Sequence, residues 1–416
     1  MRGSERVARR LWRIGALALP VVVTSVSGCG NRDSVDGSAV VEVDSASVRV
    51  LGTSDALADV RDVDVLNDGS VWVVNSIEPY LIGFPPSGDS VIAYGRRGGG
   101  PDEFGAPAGF VFGATGVSAW VLDVGRNVLV EVPTPSTGRS ELGLPRDSVP
   151  LGSIQPGMGL MSEHVRSARI DGTTLVPRSM GSLSSGVWSF WSTIWGASLV
   201  GVDSTGANAR TVLSLAEELG DPPSYLQQTN GFPPVPLWFR LWTVCSDETI
   251  HVYDRMSNAV RTYTPDGTEI DRIGLPEPRF DAVSDREFAR ATFGLAAAEA
   301  TGGTGVNLAP QDSAQVMQRL VQAVEGAPER LGTFMPRYVD LRCGDDGGLW
   351  LQPIDLARSN LRGGADWIRV TSDGTARTYR MPPRFYPYRF IDGRVLGVQR
   401  DQFDVASVAW AELPPS

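Results

Sequence analysis

Chemistry at neutral pH needs side chains that titrate, ligate or attack, and this sequence holds few of them in working combinations. It has two histidines, His164 and His251, and three cysteines, Cys29, Cys245 and Cys343. The two histidines are not paired at a metal-ligand spacing, which disfavours a His-based zinc centre. A serine nucleophile needs a histidine base, and neither histidine lies in a Gly-x-Ser-x-Gly elbow. Oxygen ligands for a hard cation would come from Asp62, Asn75, Asp123 and Asp340, although acids and amides at strand ends equally form turns. Trp188, Phe190, Trp191 and Trp195 could stack on a sugar; their alternation also suits a packed strand face. A third group is more unusual. Arg61, Asp62, Arg166, Arg169, Arg240, Tyr338, Asp340, Arg342, Tyr388 and Arg389 all precede turns, on strands whose cores should be apolar. These residues carry two readings, a solvated tunnel in which Arg pairs with acids, or a funnel that attracts a small anion. No set implies a cofactor or a resident metal, and none is catalytic.

The elements that position these residues come from a repeat. An alternating strand, a tight Asp/Gly turn and a second strand recur six times, with central residues at 72, 120, 175, 251, 350 and 396. The first copy reads Val63-Asp64-Val65-Leu66-Asn67-Asp68-Gly69-Ser70-Val71-Trp72-Val73-Val74 and the fifth contains Asp346-Gly347-Gly348-Leu349-Trp350-Leu351. A second hairpin follows most copies, as in Val260-Arg261-Thr262-Tyr263-Thr264-Pro265-Asp266-Gly267. Period-2 alternation makes strands with a face to bury, and Asp-Gly or Ser-Gly supplies the positive φ of a hairpin turn. Two hairpins make a four-stranded blade that cannot bury both faces alone, so blades must stack. The expected fold is all-β, a six-bladed β-propeller over residues 39–416.

The wider gaps require insertions. Residues 207–236 hold a short helical patch (Leu213–Leu219) and a Pro-rich run, and residues 276–336 hold two helical segments between blades 4 and 5. The latter is expected to lie over one mouth of the channel. Val40–Leu51, alternating and otherwise unpartnered, is expected to supply the missing outer strand of the last blade and so remove an exposed edge. His251 stands where other copies carry Trp, which makes it a blade-core residue first. Cys245 and Cys343 fall at equivalent strand ends of neighbouring blades; they form a disulfide or are two separate buried thiols.

The segment Gly95-Arg96-Arg97-Gly98-Gly99-Gly100-Pro101-Asp102-Glu103-Phe104, followed by Trp120-Val121-Leu122-Asp123 and Arg126-Asn127, resembles an NHL-type propeller repeat over about residues 95–133. The chain is also similar to six-bladed propeller lipoproteins of bacteria. The resemblance implies the fold and leaves the activity open, because propellers host many functions.

The first 28 residues read as an export signal. Arg2, Arg6, Arg9, Arg10 and Arg13 precede an apolar stretch from Ile14 to about Val26, too short for a comfortable membrane span. Val26-Ser27-Gly28-Cys29 resembles a bacterial lipobox, which implies a lipid on Cys29 and a polar tether over residues 29–38. The chain has 37 basic and 48 acidic residues and a formal charge of -11. An acidic surface repels phosphate backbones, so nucleic acid is excluded as a partner. The expected partners are a membrane, reached through the N-terminal lipid, and a protein or small anionic ligand. The expected function is a non-catalytic scaffold that binds at the channel mouth; the alternative is a metal-dependent propeller hydrolase or lyase of the lactonase type.

Overall fold

The structure is a computed structural model. It describes residues 40–66, 68–86, 91–100, 103–112, 119–132, 148–151, 167–170, 172–178, 198–203, 205–206, 208–214, 241–254, 257–277, 337–354 and 365–415. The expected leader, Cys29, the tether, His164, Arg166, Arg240 and the aromatic group at 188–195 lie outside these residues. So does the helical insertion, apart from its first two positions.

Six antiparallel four-stranded units form a six-bladed propeller. Blade 1 comprises Val60–Val65, Val71–Asn75, Leu81–Phe84 and Ile92–Tyr94; blade 2 comprises Pro107–Phe112, Ala119–Asp123, Val128–Val132 and Ser148–Pro150. Blade 3 comprises Ser167–Ile170, Thr173–Arg178, Ser198–Val202 and Ala209–Ser214; blade 4 comprises Trp242–Val244, Ile250–Asp254, Ala259–Tyr263 and Glu269–Gly274. Tyr338–Cys343, Leu349–Pro353, Asp366–Val370 and Ala376–Arg380 make blade 5. All six central residues of the repeat fall on second strands. The short helix expected to open at Leu213 is corrected at its start, because Leu213 and Ser214 end an outer strand that pairs with Ser198–Val202.

Blade 6 draws on both ends of the described chain. Phe385–Ile391, Arg394–Arg400 and Ala406–Glu412 are joined by Arg49–Thr53, which runs antiparallel to Ala406–Glu412. The N-terminal stretch therefore closes the last blade, with one refinement. Val41–Glu42 pairs in parallel with Ala376–Arg380 of blade 5, so the segment spans two blades rather than one.

The reason the blades hold together is visible in the second strands. Every residue of Val71–Asn75 is buried, because alternate side chains serve opposite neighbours. Val71 and Val73 pack with Leu396, Val398 and Val408 of blade 6, whereas Trp72 and Val74 pack with Phe110, Val121 and Val130 of blade 2. Comparable clusters occupy each of the other four blade interfaces. The cluster between blades 6 and 1 completes the ring.

Within an up-and-down blade, the connection from second to third strand leaves the same face as the connection to the next blade. The described strands that flank 95–106, 151–166, 179–197, 215–241, 275–337 and 354–365 end and begin at that face. The described strands that flank 133–147 end and begin at the opposite face.

Candidate functional site

The charged residues of the inner strands come together where the ring closes. Arg389 of blade 6 reaches blade 1, with Nε 2.9 Å from Asp64 Oδ1 and Nη2 3.8 Å from Asp62 Oδ1. Asp62 is itself anchored. Its Oδ1 accepts from Val63 N–H at 2.9 Å and its Oδ2 from Phe110 N–H of blade 2 at 2.9 Å. The backbone at Gly109 allows this approach, since a Cβ there would lie 3.0 Å from Asp62 Oδ2. On the other side, Arg342 of blade 5 holds Asp340 Oδ2 through Nη2 at 2.8 Å and Nε at 2.9 Å, and its Nη1 donates to Tyr388 O. The Arg342 guanidinium also stands over the Tyr388 ring, 5.1 Å from its centroid. Tyr388 then donates its hydroxyl to Val60 O of blade 1 at 3.0 Å. One chain of contacts thus runs through the inner strands of blades 5, 6, 1 and 2.

The local cause is a recurring bulge. Register shifts place an extra residue in the inner strands of blades 1, 5 and 6, between Val60 and Asp62, Tyr338 and Asp340, and Pro387 and Arg389. A bulge re-aims the side chains that follow it. Asp62, Asp340 and Arg389 are those side chains. Asp62 and Asp340 are buried, and Arg389 and Arg342 keep 11% and 12% of their side-chain exposure. Burial raises the Asp62 pKa against the opposing pull of Arg389. Burial also disfavours charge on Arg389, yet Asp64 and Asp62 together hold its pKa above the ordinary guanidinium value.

The remaining sequence candidates divide. Arg61 donates through Nη1 to Pro107 O at 3.1 Å and so also ties blade 1 to blade 2. Tyr338 is corrected as a channel-lining residue. It is fully buried in the core between blades 4 and 5, edge-on to Tyr253, with its hydroxyl 2.6 Å from Pro276 O. Asp64, Gly109 and the Phe110 amide belong to the network but were not singled out from sequence. Asp64 carried a signal, since it lies two positions from Asp62 on an alternating strand.

Asp123 serves the NHL-like segment. Its Oδ2 accepts from Gly105 N–H at 2.8 Å, and its Oδ1 from the N–H groups of Ala106, Gly125 and Arg126 at 2.8, 3.1 and 3.3 Å. Arg126 Nη1 holds Glu103 O at 2.6 Å, while Phe104, fully buried, sits edge-on to Tyr80 and Tyr94. Gly105 and Gly125 pass so closely that a Cβ on Gly125 would lie 2.6 Å from Ala106 N. Asn75, at the matching place in blade 1, donates to Ala56 O at 2.6 Å. Of the four oxygen-bearing residues offered for a hard cation, Asp62 and Asp340 belong to the inner-strand network and Asp123 holds the connector, whereas Asn75 is fixed through its Nδ2 and its buried Oδ1 has no hydrogen-bond partner among the described residues.

Among the described residues, one group of three potential ligands does converge, formed by Cys245, Asp247 and His251. Cys245 is disulfide-bonded to Cys343, tying blade 4 to blade 5 with Cα atoms 5.3 Å apart. His251 occupies the place of Trp72 and keeps the same hydrogen-bond pattern. In blade 1 the Trp72 Nε1–H donates to Ser70 Oγ at 3.1 Å, and Ser70 donates to Asp68. In blade 4 the Thr249 hydroxyl donates to Asp247 Oδ1 at 2.6 Å, so it must accept from His251 Nε2–H at 2.8 Å. His251 Nδ1 then accepts from the Thr262 hydroxyl at 3.1 Å. Burial pushes the His251 pKa down to about 4, outweighing the pull of Asp247 and Asp271. An unfolded histidine takes up a proton near pH 6.5. As pH falls from that value towards 4, the unfolded chain binds a proton that the folded one excludes, and stability drops. Between pH 7 and 5, chelator-treated protein should lose about 2 kcal/mol more than its His251→Gln variant. Urea unfolding at both pH values checks this; equal losses would refute the assignment of a neutral, buried imidazole.

No protein-family model matches the sequence, and no curated protein sequence matches it. Several solved structures overlay on it at low identity. Virginiamycin B lyase from Staphylococcus aureus has 12% identity and a TM-score of 0.41, covering 87% of each chain. Regucalcin, a calcium-binding protein from Agrobacterium tumefaciens, has 11% identity and a TM-score of 0.44, covering 90% of this chain and 97% of its own. A gluconolactonase from Xanthomonas campestris has 11% identity and a TM-score of 0.43, covering 88% of this chain and 89% of its own. Likenesses this distant assign no activity to the present chain.

Proposed function

We propose that this chain is a lipid-anchored, non-catalytic binding propeller. Cys29 would carry the anchor in a bacterial cell envelope, and the partner would be a protein held at one mouth of the ring. The observation that carries this reading is the commitment of the polar inner-strand residues to one another. Arg342 and Arg389 hold Asp62, Asp64 and Asp340 across blades 5, 6 and 1. Carboxylates already bound by guanidinium and backbone N–H groups are poor ligands for a metal and poor bases. The same pairing leaves the two arginines little reach for a small anion, so a protein is favoured over a small ligand.

The second reading, a metal-dependent hydrolase or lyase, makes a different demand. It needs turnover that disappears with a channel acid. The mature chain should show no calcium- or zinc-dependent hydrolysis across a panel of lactones and esters. Metal-dependent turnover abolished by Asp62→Asn or Asp340→Asn would overturn the non-catalytic reading.

A further inference from the structure

We propose that the contact between blades 4 and 5 holds a latent zinc site, formed by Cys245, Cys343, Asp247 and His251 once the disulfide is reduced. A cysteine sulfur, a carboxylate oxygen and a ring nitrogen of Cys245, Asp247 and His251 already lie within 4.8 Å of one another. Tetrahedral zinc, with bonds of about 2.0–2.3 Å, holds its ligand atoms roughly 3.3–3.8 Å apart. The site therefore has to contract by about 1 Å, within the reach of side-chain rotation. Cys343 is the fourth ligand, because the disulfide fixes its Cα 5.3 Å from that of Cys245. Two thiolates, one imidazole and one carboxylate form a donor set that selects zinc over calcium or magnesium. Cys245 and His251 are buried while Asp247 is exposed, so the carboxylate marks the way in.

In the oxidised protein the sulfurs are spent on each other, and only Asp247 and His251 remain as ligands. A dithiol reductant changes that. It delivers two electrons and two protons to the S–S bond, giving two thiols and the oxidised, cyclic form of the dithiol. Zinc then binds as Zn²⁺ with release of the two thiol protons, and its oxidation state does not change.

The hydroxyl of Thr249 is the residue that opposes this, because it bridges His251 Nε2 and Asp247 Oδ1 where the metal would sit. Rotation about its χ1 clears the position. The His251 ring proton then moves to Nδ1 and is donated to Thr262 Oγ1, now 3.1 Å away, as outer-shell partners of zinc-bound histidine do.

Equilibrium dialysis of the full mature chain against zinc, with metal counted by mass spectrometry, tests the proposal before and after reduction by a phosphine. One zinc per chain is expected in the reduced protein and none in the oxidised protein. Cobalt in place of zinc should give a thiolate-to-metal charge-transfer band only after reduction. His251→Asn should weaken binding by at least tenfold, and Thr262→Val by about 10–100-fold. Thr249→Ala should tighten it by about tenfold, the worth of one net hydrogen bond. The last variant removes a competitor rather than a ligand, so it keeps the test sharp if His251→Asn fails to fold. No zinc in the reduced protein, equal binding before and after reduction, or binding indifferent to both His251→Asn and Thr249→Ala would each overturn the proposal.

Discussion

Arg389→Met should destabilise the propeller by about 3–5 kcal/mol, the usual cost of removing one partner from a buried ion pair. The side chain is 11% exposed and faces two carboxylates, Asp64 at 2.9 Å and Asp62 at 3.8 Å. Without the guanidinium, both acids stay buried with less compensation. Asp62 already has a raised pKa, and the substitution raises it further. A carboxyl whose folded pKa lies above its unfolded value stabilises the folded state only while it is protonated. The deficit of the variant is therefore expected to be largest at neutral pH and to shrink as the solution is acidified. Denaturant unfolding at pH 7 and pH 5 reads both effects. A loss under 1 kcal/mol, or one independent of pH, would mean that the cluster is solvated and does not bind blade 6 to blade 1.

Asp123→Ala is expected to cost about 4 kcal/mol, because four backbone N–H groups lose one shared, fully buried acceptor. The isosteric Asp123→Asn makes the argument specific. Three of the four N–H groups converge on Oδ1 and one on Oδ2, so an amide oxygen can retain three of them. Its loss should be about 1–2 kcal/mol. If Asn were as damaging as Ala, the charge would matter more than the hydrogen-bond geometry. If Ala were harmless, the connector over 103–106 would not depend on this latch.

These two residues mark how far the sequence could be read. The blade count was legible because each second strand, such as Val71–Asn75, must bury both faces, and that leaves a repeating apolar pattern around a turn. The Asp123 latch was half legible. Its place in the NHL-like segment pointed to the blade, but the four N–H partners depend on how Gly105 and Gly125 pass each other, which spacing does not encode.

The inner-strand charges were legible as a group and not as a network. An inner-strand bulge shifts the register by one residue, so alternation alone does not say whether Tyr338 or Asp340 faces the channel. That is why Tyr338 belongs to the core and Asp340 to the cluster. The N-terminal segment shows the same limit. Its apolar alternation called for a strand partner, but Val41–Glu42 and Arg49–Thr53 find different blades across a turn at Ser45–Ser47. His251 is recognisable as a replacement for Trp, whereas the Asp247–Thr249–His251 chain that makes the replacement workable depends on how the turn folds back on the strand.

The central claim is that the carboxylates lining the inner strands hold the ring together and are not ligands for a catalytic cation. Thermal unfolding of the oxidised mature chain, followed across a calcium titration, tests it most directly. A ligand that binds only the folded state raises the melting temperature with its concentration. The expected result is a melting temperature unchanged by calcium, with Asp62→Asn and Asp340→Asn melting lower than the parent at every calcium concentration. A calcium-dependent rise that disappears in either variant would contradict the account and return those acids to a metal site.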